Sequence, residues 1–336
     1  MTGAGWICGK LERWRPVMMR SRRGSLDVII VNWNSGQRLR HGLEALAASP
    51  EDVACLAKVI VIDNASTDGS AQLQDFSAAL PLQIVENETN RGFAAACNQG
   101  ASMAAADALL FLNPDVRICP GALANALDFL FADSQARVGA VGVKLIGEDG
   151  ITQHSCASFP TAGKMVAQSA FLDRIAPSFF APHFMMEWDH ETTRSVDQVM
   201  GAFLMMPRVL FESIGGFDER FFVYFEDLDL CLRIKQKGWS VMHFAQASAV
   251  HEGQGTTRAI LGTRLFYSWR GRLLYAAKNF SRGGLLACLV ATLFLEPPAR
   301  IVAAFAKGSA KEARAVLCAY RLLLGALPNL SLHRRV

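Results

Sequence analysis

Residues Leu109–Val116 read LLFLNPDV. Four apolar residues run into Asn113-Pro114-Asp115, the pattern of a buried strand that surfaces at a polar tip. A strand tip carrying Asp-x-Asp is a device for holding a divalent cation against a diphosphate. Here the first position is Asn113, and only Asp115 is acidic. The tip is either a metal site short of one ligand or an ordinary strand-to-loop turn.

Similar runs lie on both sides of this one. DVIIVN (27–32), KVIVID (58–63), LQIVE (82–86) and VGAVGVKL (138–145) are apolar and rich in β-branched residues. Helical patterns separate them, from about Gly36 to Ala48, Phe93 to Ala105 and Pro120 to Ala132. Continuous apolar strands alternating with helices predict an α/β fold whose mainly parallel sheet is covered on both faces. Ligands bind such sheets beyond the carboxyl ends of the strands. Four tips in succession are polar there: Asn32-Trp33-Asn34-Ser35, Asp63 to Asp68, Asn90-Arg91-Gly92, and Asn113-Pro114-Asp115. Asx residues also make turns and caps, and Asp68 can be read that way. Four loaded tips in a row favour a ligand site. No Gly-x-Gly-x-x-Gly follows the first strand, and no Gly-x-x-x-x-Gly-Lys occurs. The sequence therefore carries no fingerprint of a dinucleotide oxidoreductase or a P-loop enzyme.

The chain has 336 residues, 51% of them apolar, enough for one large domain and an appendage. Its net charge of +4 hides an asymmetry. Residues 1–25 carry six Lys/Arg against one acid. Residues 26–256 carry 15 against 27, and residues 257–336 carry 13 against two. Basic ends on an acidic body suit an anionic surface, either nucleic acid or the inner leaflet of a membrane. The tail lacks the interleaved aromatic and basic pattern of a base-stacking surface, which argues against nucleic acid. The eight cysteines form no Cys-x-x-Cys and read as reduced, buried small hydrophobes of a cytosolic protein. The N-terminal segment lacks a long apolar core and is a poor signal peptide; it is expected to be disordered or to lie on a membrane. The fold begins at Leu26.

Residues 151–195 show little periodicity and many aromatics. They form either an excursion that lines an acceptor groove or a packed insertion. Further on, Glu226-Asp227 opens a helix to about Lys237, SVMHFA (240–245) is a strand, and VHEGQGT (250–256) is a polar loop. The helix dipole favours negative charge at Glu226-Asp227, so a carboxylate there would stay ionised and can serve as a general base. In the other reading the pair is only a helix cap. A hard cation needs oxygen or imidazole donors, and Asp115 alone cannot hold one. If His251 reaches the same tip, it supplies the donor that Asn113 does not.

Seven segments in order carry a resemblance: DVIIVNWNS, VIVIDNASTDGS, NETNRGFAAACNQG, LLFLNPDV, GAFLMMPR, GGFDERFFVYFEDLDLCLR and VHEGQGT. Over residues 26–270 the chain resembles family 2 inverting glycosyltransferases of the GT-A fold, and most of all bacterial dTDP-rhamnosyltransferases. The resemblance implies that Asn32 and Asn34 lie beside the nucleotide, and that Asp63 binds its pyrimidine while Asp68 closes that loop. It places Arg91 near the nucleotide and Asn113-Pro114-Asp115 at the Asp-x-Asp position, with Asp115 a metal ligand. It makes Asp227 the catalytic base and His251 a second metal ligand. Asn113 departs from the strict motif. The implied cofactors are Mg or Mn and a nucleotide-sugar donor, dTDP-L-rhamnose or a UDP-sugar. The implied acceptor is a glycan, carried on a polyprenyl diphosphate, in cell-surface polysaccharide synthesis. A weakly active binding protein that keeps the fold is the reading from another class, and Asn113 is what permits it.

The tail, residues 271–336, is expected to be helical and basic. Its longest apolar run, Leu285–Leu295, is shorter than the roughly 20 residues of a membrane span. Glu296-Pro297-Pro298-Ala299-Arg300 interrupts it. Two amphipathic helices in the membrane interface are expected, on a cytoplasmic protein peripheral to the inner face of the plasma membrane. The other reading packs them on the catalytic domain or on the partner in a homo-oligomer.

Overall fold

The computed structural model describes residues 24–76, 78–132, 137–253 and 260–330. The expectations for the N-terminal extension up to residue 23, for the last residues of the tail and for part of the 250–256 loop lie outside them.

The first half of the chain follows the expected alternation. Strands β1 (Leu26–Asn32), β2 (Leu56–Asp63), β3 (Leu82–Glu86) and β4 (Ala108–Leu112) pair in parallel, in the order β3-β2-β1-β4. Every residue of β1 and β4 is buried, as a sheet covered on both faces requires. Helices α1 (Arg38–Ala47), the short α2 (Pro50–Val53) and α3 (Phe93–Ser102) form the connections. A short strand that the sequence reading did not contain, β5 (Val116–Ile118), follows the Asn113-Pro114-Asp115 tip, and α4 (Ala122–Leu130) comes next.

β6 (Val138–Ile146) does not join β4 directly. The chain first makes β7 (Cys156–Ala157), α5 (Ala162–Ser169), α6 (Leu172–Ile175), β8 (Arg194–Val196) and β9 (Gln198–Val199). Then β10 (Phe203–Pro207) enters antiparallel between β4 and β6. α7 (Arg208–Ser213) and α8 (Glu226–Gln236) follow, and β11 (Ser240–His251) closes the sheet, parallel to β6 and antiparallel to β5. The result is a nine-stranded mixed sheet, mainly parallel in its first half. β11 corrects one expectation. The strand does not stop at 245 but continues to His251, through a register shift between Phe244 and Ser248 that spans the polar Gln246.

Two apolar cores lie on the two faces of the sheet. A third joins α5, α8 and the tail helices α9 (Leu261–Asn279), α10 (Arg282–Val290), α11 (Glu296–Ala306) and α12 (Ala310–Ala326). α9 runs through residue 270, and Trp269, Leu273 and Leu274 pack with Phe221 and Leu228 in that core. The expected break at Glu296-Pro297-Pro298 does not end the helix. A π-turn, Ala291–Leu295, bridges α10 and α11 into one run of 25 residues. The wider turn just before the prolines accommodates their missing N–H donors. Of the described cysteines, five are buried, Cys119 is half-buried and Cys318 is exposed; none is in a disulfide.

Candidate active site

Parallel register sets the first strand tips side by side, with Asn32 of β1 opposite Asp63 of β2. Asn32 is fully buried. Its amide donates to Asp63 Oδ1 (2.7 Å) and Ser70 Oγ (2.9 Å), and its Oδ1 accepts from the Ser35 hydroxyl. Asp63 Oδ2 accepts from the Ser66 N–H (2.9 Å). Asn34, in the left-handed region at φ 48°, accepts from the Thr67 N–H (2.8 Å) and donates its own N–H to Ser66 Oγ (2.9 Å). Asp68 accepts from the Gly36 N–H (2.8 Å) and from Ser70. Burial raises its pKa, but the Ser70 and Gly36 donors outweigh that and hold it below the ordinary carboxylate value. Asp68 is thus a clasp between two loops. Asn32, Asn34, Asp63 and Asp68 form one pre-built double loop at the sheet's carboxyl edge.

Arg91 stands on the exposed rim and donates to Gln99 Oε1 (3.2 Å). Gln99 bonds Asn87, and Asn87 bonds Asn64, the residue after Asp63. Gly92 follows at φ 85°, where a side chain would meet the Phe222 carbonyl at 2.6 Å.

At the fourth tip the Val116 N–H donates to the Asn113 carbonyl (3.2 Å), closing a turn with Pro114 second. Asp115 projects from this turn. β5 and β11 pair with Val116 opposite His251, so the ladder itself brings the two side chains together. His251 Nε2 lies 3.6 Å from Asp115 Oδ1, and both side chains are about nine-tenths buried. Gln153, unforeseen in the sequence, sets the ring. Its Nε2 donates to the His251 carbonyl (2.8 Å), which turns its Oε1 toward His251 Nδ1 (2.9 Å). With Nδ1 engaged by Gln153 Oε1, Nε2 is the ring nitrogen that faces the carboxylate. Two electron-rich atoms at a distance too long for a hydrogen bond suit a cation between them. Among the described residues no third His, Cys, Asp or Glu joins them. The remaining donors would be ligand and water oxygens, as hard cations accept. With Asn113 at the first position of the tip, Asp115 and His251 are the two side chains here that could hold a cation.

Asp227 sits in the first turn of α8. The two residues before the helix, Tyr224 (φ 68°) and Phe225 (φ 74°), are both left-handed, a strain of about 1–3 kcal/mol each. α9 makes room for this turn at Gly271, where a side chain would meet the Tyr224 carbonyl and the Phe225 ring at 2.9 Å. Asp227 Oδ2 accepts from the Gly201 N–H (2.9 Å) and Oδ1 from the Leu228 N–H (2.8 Å). The next residue, Ala202, accepts from the Asn113 N–H (3.0 Å). Consecutive residues 201 and 202 thus bind the acid and the Asn113-Pro114-Asp115 tip. Burial raises the pKa of Asp227 against its Gly201, Leu228 and Gln198 donors. Burial, and then the charge of Asp227, push Glu226 well above the ordinary range. Glu226 Oε2 has no hydrogen-bond partner among the described residues. The helix dipole is expected to keep a carboxylate ionised here; desolvation opposes it at both acids, most at Glu226, whose pKa the charge of Asp227 raises further.

Arg38 at the start of α1 bonds Glu252, the neighbour of His251, and so ties the double loop to the Asp115–His251 tip. The structure therefore links the tips that carry Asn32, Asn34, Asp63, Asn113, Asp115, His251 and Asp227 in one region, with Arg91 at its rim.

The fold and this carboxyl-edge site define a glycosyltransferase of the GT-A type. The family profile described as Glycosyl transferase family 2 matches residues 27–213, and that described as Glycosyl transferase family group 2 matches residues 148–328. The chain belongs to glycosyl transferase family 2. It is 28% identical over 248 residues to the N-acetylglucosaminyl-diphospho-decaprenol L-rhamnosyltransferase of Mycobacterium tuberculosis (strain ATCC 25618 / H37Rv), covering 69% of this chain and 77% of that one. It is 35% identical over 166 residues to the O-antigen biosynthesis protein RfbC of Myxococcus xanthus, 48% of this chain and 12% of that one. In fold it is similar to the mannosyltransferase PcManGT of Pyrobaculum calidifontis, solved with GDP-Man and Mn2+. The TM-score is 0.54 at 20% identity, over 93% of this chain and 84% of that one.

Proposed function

We propose that this glycosyltransferase moves L-rhamnose from dTDP-L-rhamnose, with inversion, onto a hydroxyl of a lipid-linked glycan. The observation that carries the reaction is the pairing at residues 201 and 202. One binds the carboxylate of Asp227 and the next holds the strand tip from which Asp115 faces His251. The donor is supported by the rhamnosyltransferase relative, and the acceptor by the diphospho-decaprenol in that relative's name.

The double loop from Asn32 to Ser70 would receive the nucleoside, with Arg91 at its edge. Asp115 and His251 would hold Mg or Mn, which as a Lewis acid neutralises charge growing on the leaving diphosphate. Asp227 takes the proton of the acceptor hydroxyl as that oxygen attacks the anomeric carbon. The carbon–oxygen bond to the diphosphate breaks, and its electron pair leaves with the nucleoside diphosphate. Attack opposite the leaving group in one step inverts the anomeric centre. Burial raises the pKa of Asp227, which makes its carboxylate a better base than an ordinary aspartate. The reaction takes place on the cytoplasmic side, where nucleotide sugars would meet a membrane-borne acceptor.

The test is a donor screen with purified protein and a polyprenyl-diphosphate acceptor, with and without EDTA, following release of dTDP or UDP. Metal-dependent release of dTDP from dTDP-L-rhamnose is expected. Release from a UDP-sugar alone would overturn the donor assignment, and turnover unaffected by both EDTA and Asp115→Ala would overturn the metal assignment.

A further inference from the structure

The run Arg282–Ala306 is long and apolar enough, by length and composition, to cross a membrane. Its inner face argues otherwise. Glu296, 1% exposed, lies in the middle of the run and is clasped by Arg272 of α9 and by Arg300 (2.7 Å), with Ser169 also bonded (3.2 Å). Around this clasp α10 packs on α5 and α9, and α11 packs on α12. Spanning would strip the helix from these partners and draw an ion pair into hydrocarbon.

The outer face has a different composition. From Gly283 to Ala306 every exposed residue is apolar. Leu286, Val290, Phe294, Val302 and Phe305 follow one another along the helix, the two phenylalanines 69% and 72% exposed. Cations stand at both ends of this stretch, Arg282 and Lys307, both exposed. On the neighbouring α12, Lys311, Arg314 and Arg321 are exposed among the apolar Leu317 and Leu324. Beside the middle of the run, Arg300 lies over the ring of Phe171 (5.4 Å), and the excursion that follows exposes Ile175 and Phe179, the latter 85%.

We propose that Arg282–Ala306 lies flat in the interface of an anionic bilayer, with its clasped face on the enzyme and its apolar face in the headgroup–acyl boundary. Charge selects this occupant. Residues 257–336 carry 13 Lys/Arg against two acids, and one of those acids, Glu296, is sealed in the clasp. Residues 26–256 are acidic, 15 Lys/Arg against 27, so an anionic leaflet repels the catalytic body and attracts the tail. An apolar ridge between cations, on a helix that is otherwise packed, is the arrangement of an in-plane anchor. The proposal deepens the lipid-linked acceptor reading and rests on it only for its purpose, since the anchoring itself needs no sugar.

The experiment is co-sedimentation of the full chain with phosphatidylglycerol-containing vesicles, with pure phosphatidylcholine vesicles as control. Binding to the anionic vesicles that weakens with added salt is expected. Phe294→Ser with Phe305→Ser should weaken it by about tenfold or more. Lys307→Gln with Lys311→Gln and Arg314→Gln should reduce binding to anionic vesicles selectively. Thermal melting of each variant confirms its fold, and donor turnover with a water-soluble acceptor should be unchanged. Wild-type protein that ignores the vesicles would overturn the proposal. So would a ridge variant that binds them undiminished but changes the oligomeric state in sedimentation velocity, which would assign the ridge to a second copy. Protection of Phe294 and Phe305 from quenchers in both leaflets' headgroup regions would overturn the flat orientation. Asp227→Asn, expected to abolish turnover, should bind vesicles normally, so loss of anchoring and loss of the transferase reading are separable results.

Discussion

Replacing Gln153 by leucine removes both hydrogen bonds that orient the His251 ring, one to its backbone carbonyl (2.8 Å) and one from its Nδ1 (2.9 Å). The change leaves both proposed ligands, Asp115 and His251, in the chain. Partners of this kind on a metal-binding histidine are worth about 10–100-fold in metal affinity, which is about 1.4–2.8 kcal/mol. The concentration of Mn2+ giving half-maximal turnover should rise by that factor, and calorimetric titration of Mn2+ in the presence of dTDP should show the same shift. Turnover at saturating Mn2+ should change far less, because Asp227 is bonded elsewhere. Gln153→Glu keeps an acceptor for the Nδ1 proton but loses the donor to the carbonyl, so its shift should be smaller than that of the leucine variant. A leucine variant with unaltered Mn2+ dependence would show that His251 does not bind the metal, whatever happened to its maximal rate.

Asp227→Asn should abolish turnover while leaving dTDP binding by calorimetry nearly intact, because only the proton acceptor is lost; an equal loss of binding would assign Asp227 to the donor. Turnover needs the ionised form of this acid, and burial raises its pKa, so kcat should fall on acidification through a midpoint above the ordinary aspartate value of about 4. A midpoint at or below that value would refute the desolvated base. Asn32→Ala should cost about 1–3 kcal/mol in urea unfolding, because it leaves the buried carboxylate of Asp63 without its amide donor; an undisturbed midpoint would show that the double loop does not depend on that bond. Glu296→Ala should cost about 3–5 kcal/mol, since Arg272 would remain buried without its partner; a Tm within a degree of wild type, measured by calorimetry, would mean that the clasp carries no weight.

The parallel half of the sheet was legible because β1 and β4 are buried on both faces and so read as unbroken apolar runs. Their tips were legible because polar residues start where burial stops. The convergence of Asp115 and His251 was only a condition in the sequence; the β5–β11 ladder meets it, through a strand of three residues too short to show a period. β10 was read as a segment but not as the antiparallel strand that parts β4 from β6, because its position depends on long-range pairing. β11 seemed to end at 245 because Gln246 breaks the apolar alternation where the register shifts. Gln153 lies in an aperiodic excursion, and only its bonds mark it. Asn32 was expected beside the nucleotide, and its amide is engaged by Asp63 and Ser70. The prolines after Glu296 promised a break because a π-turn leaves no trace in composition.

Gly271 has a consequence for how separable this enzyme's parts are. Adding any side chain there would collide with the paired left-handed residues that precede Asp227, so the first helix of the tail acts as a mould for that turn. An excised fragment stopping at residue 270 would keep Asp115, His251 and Asp227 and lose the surface that shapes the turn before Asp227. The turn before Asp227 and the helical tail are therefore packed as one unit at Gly271.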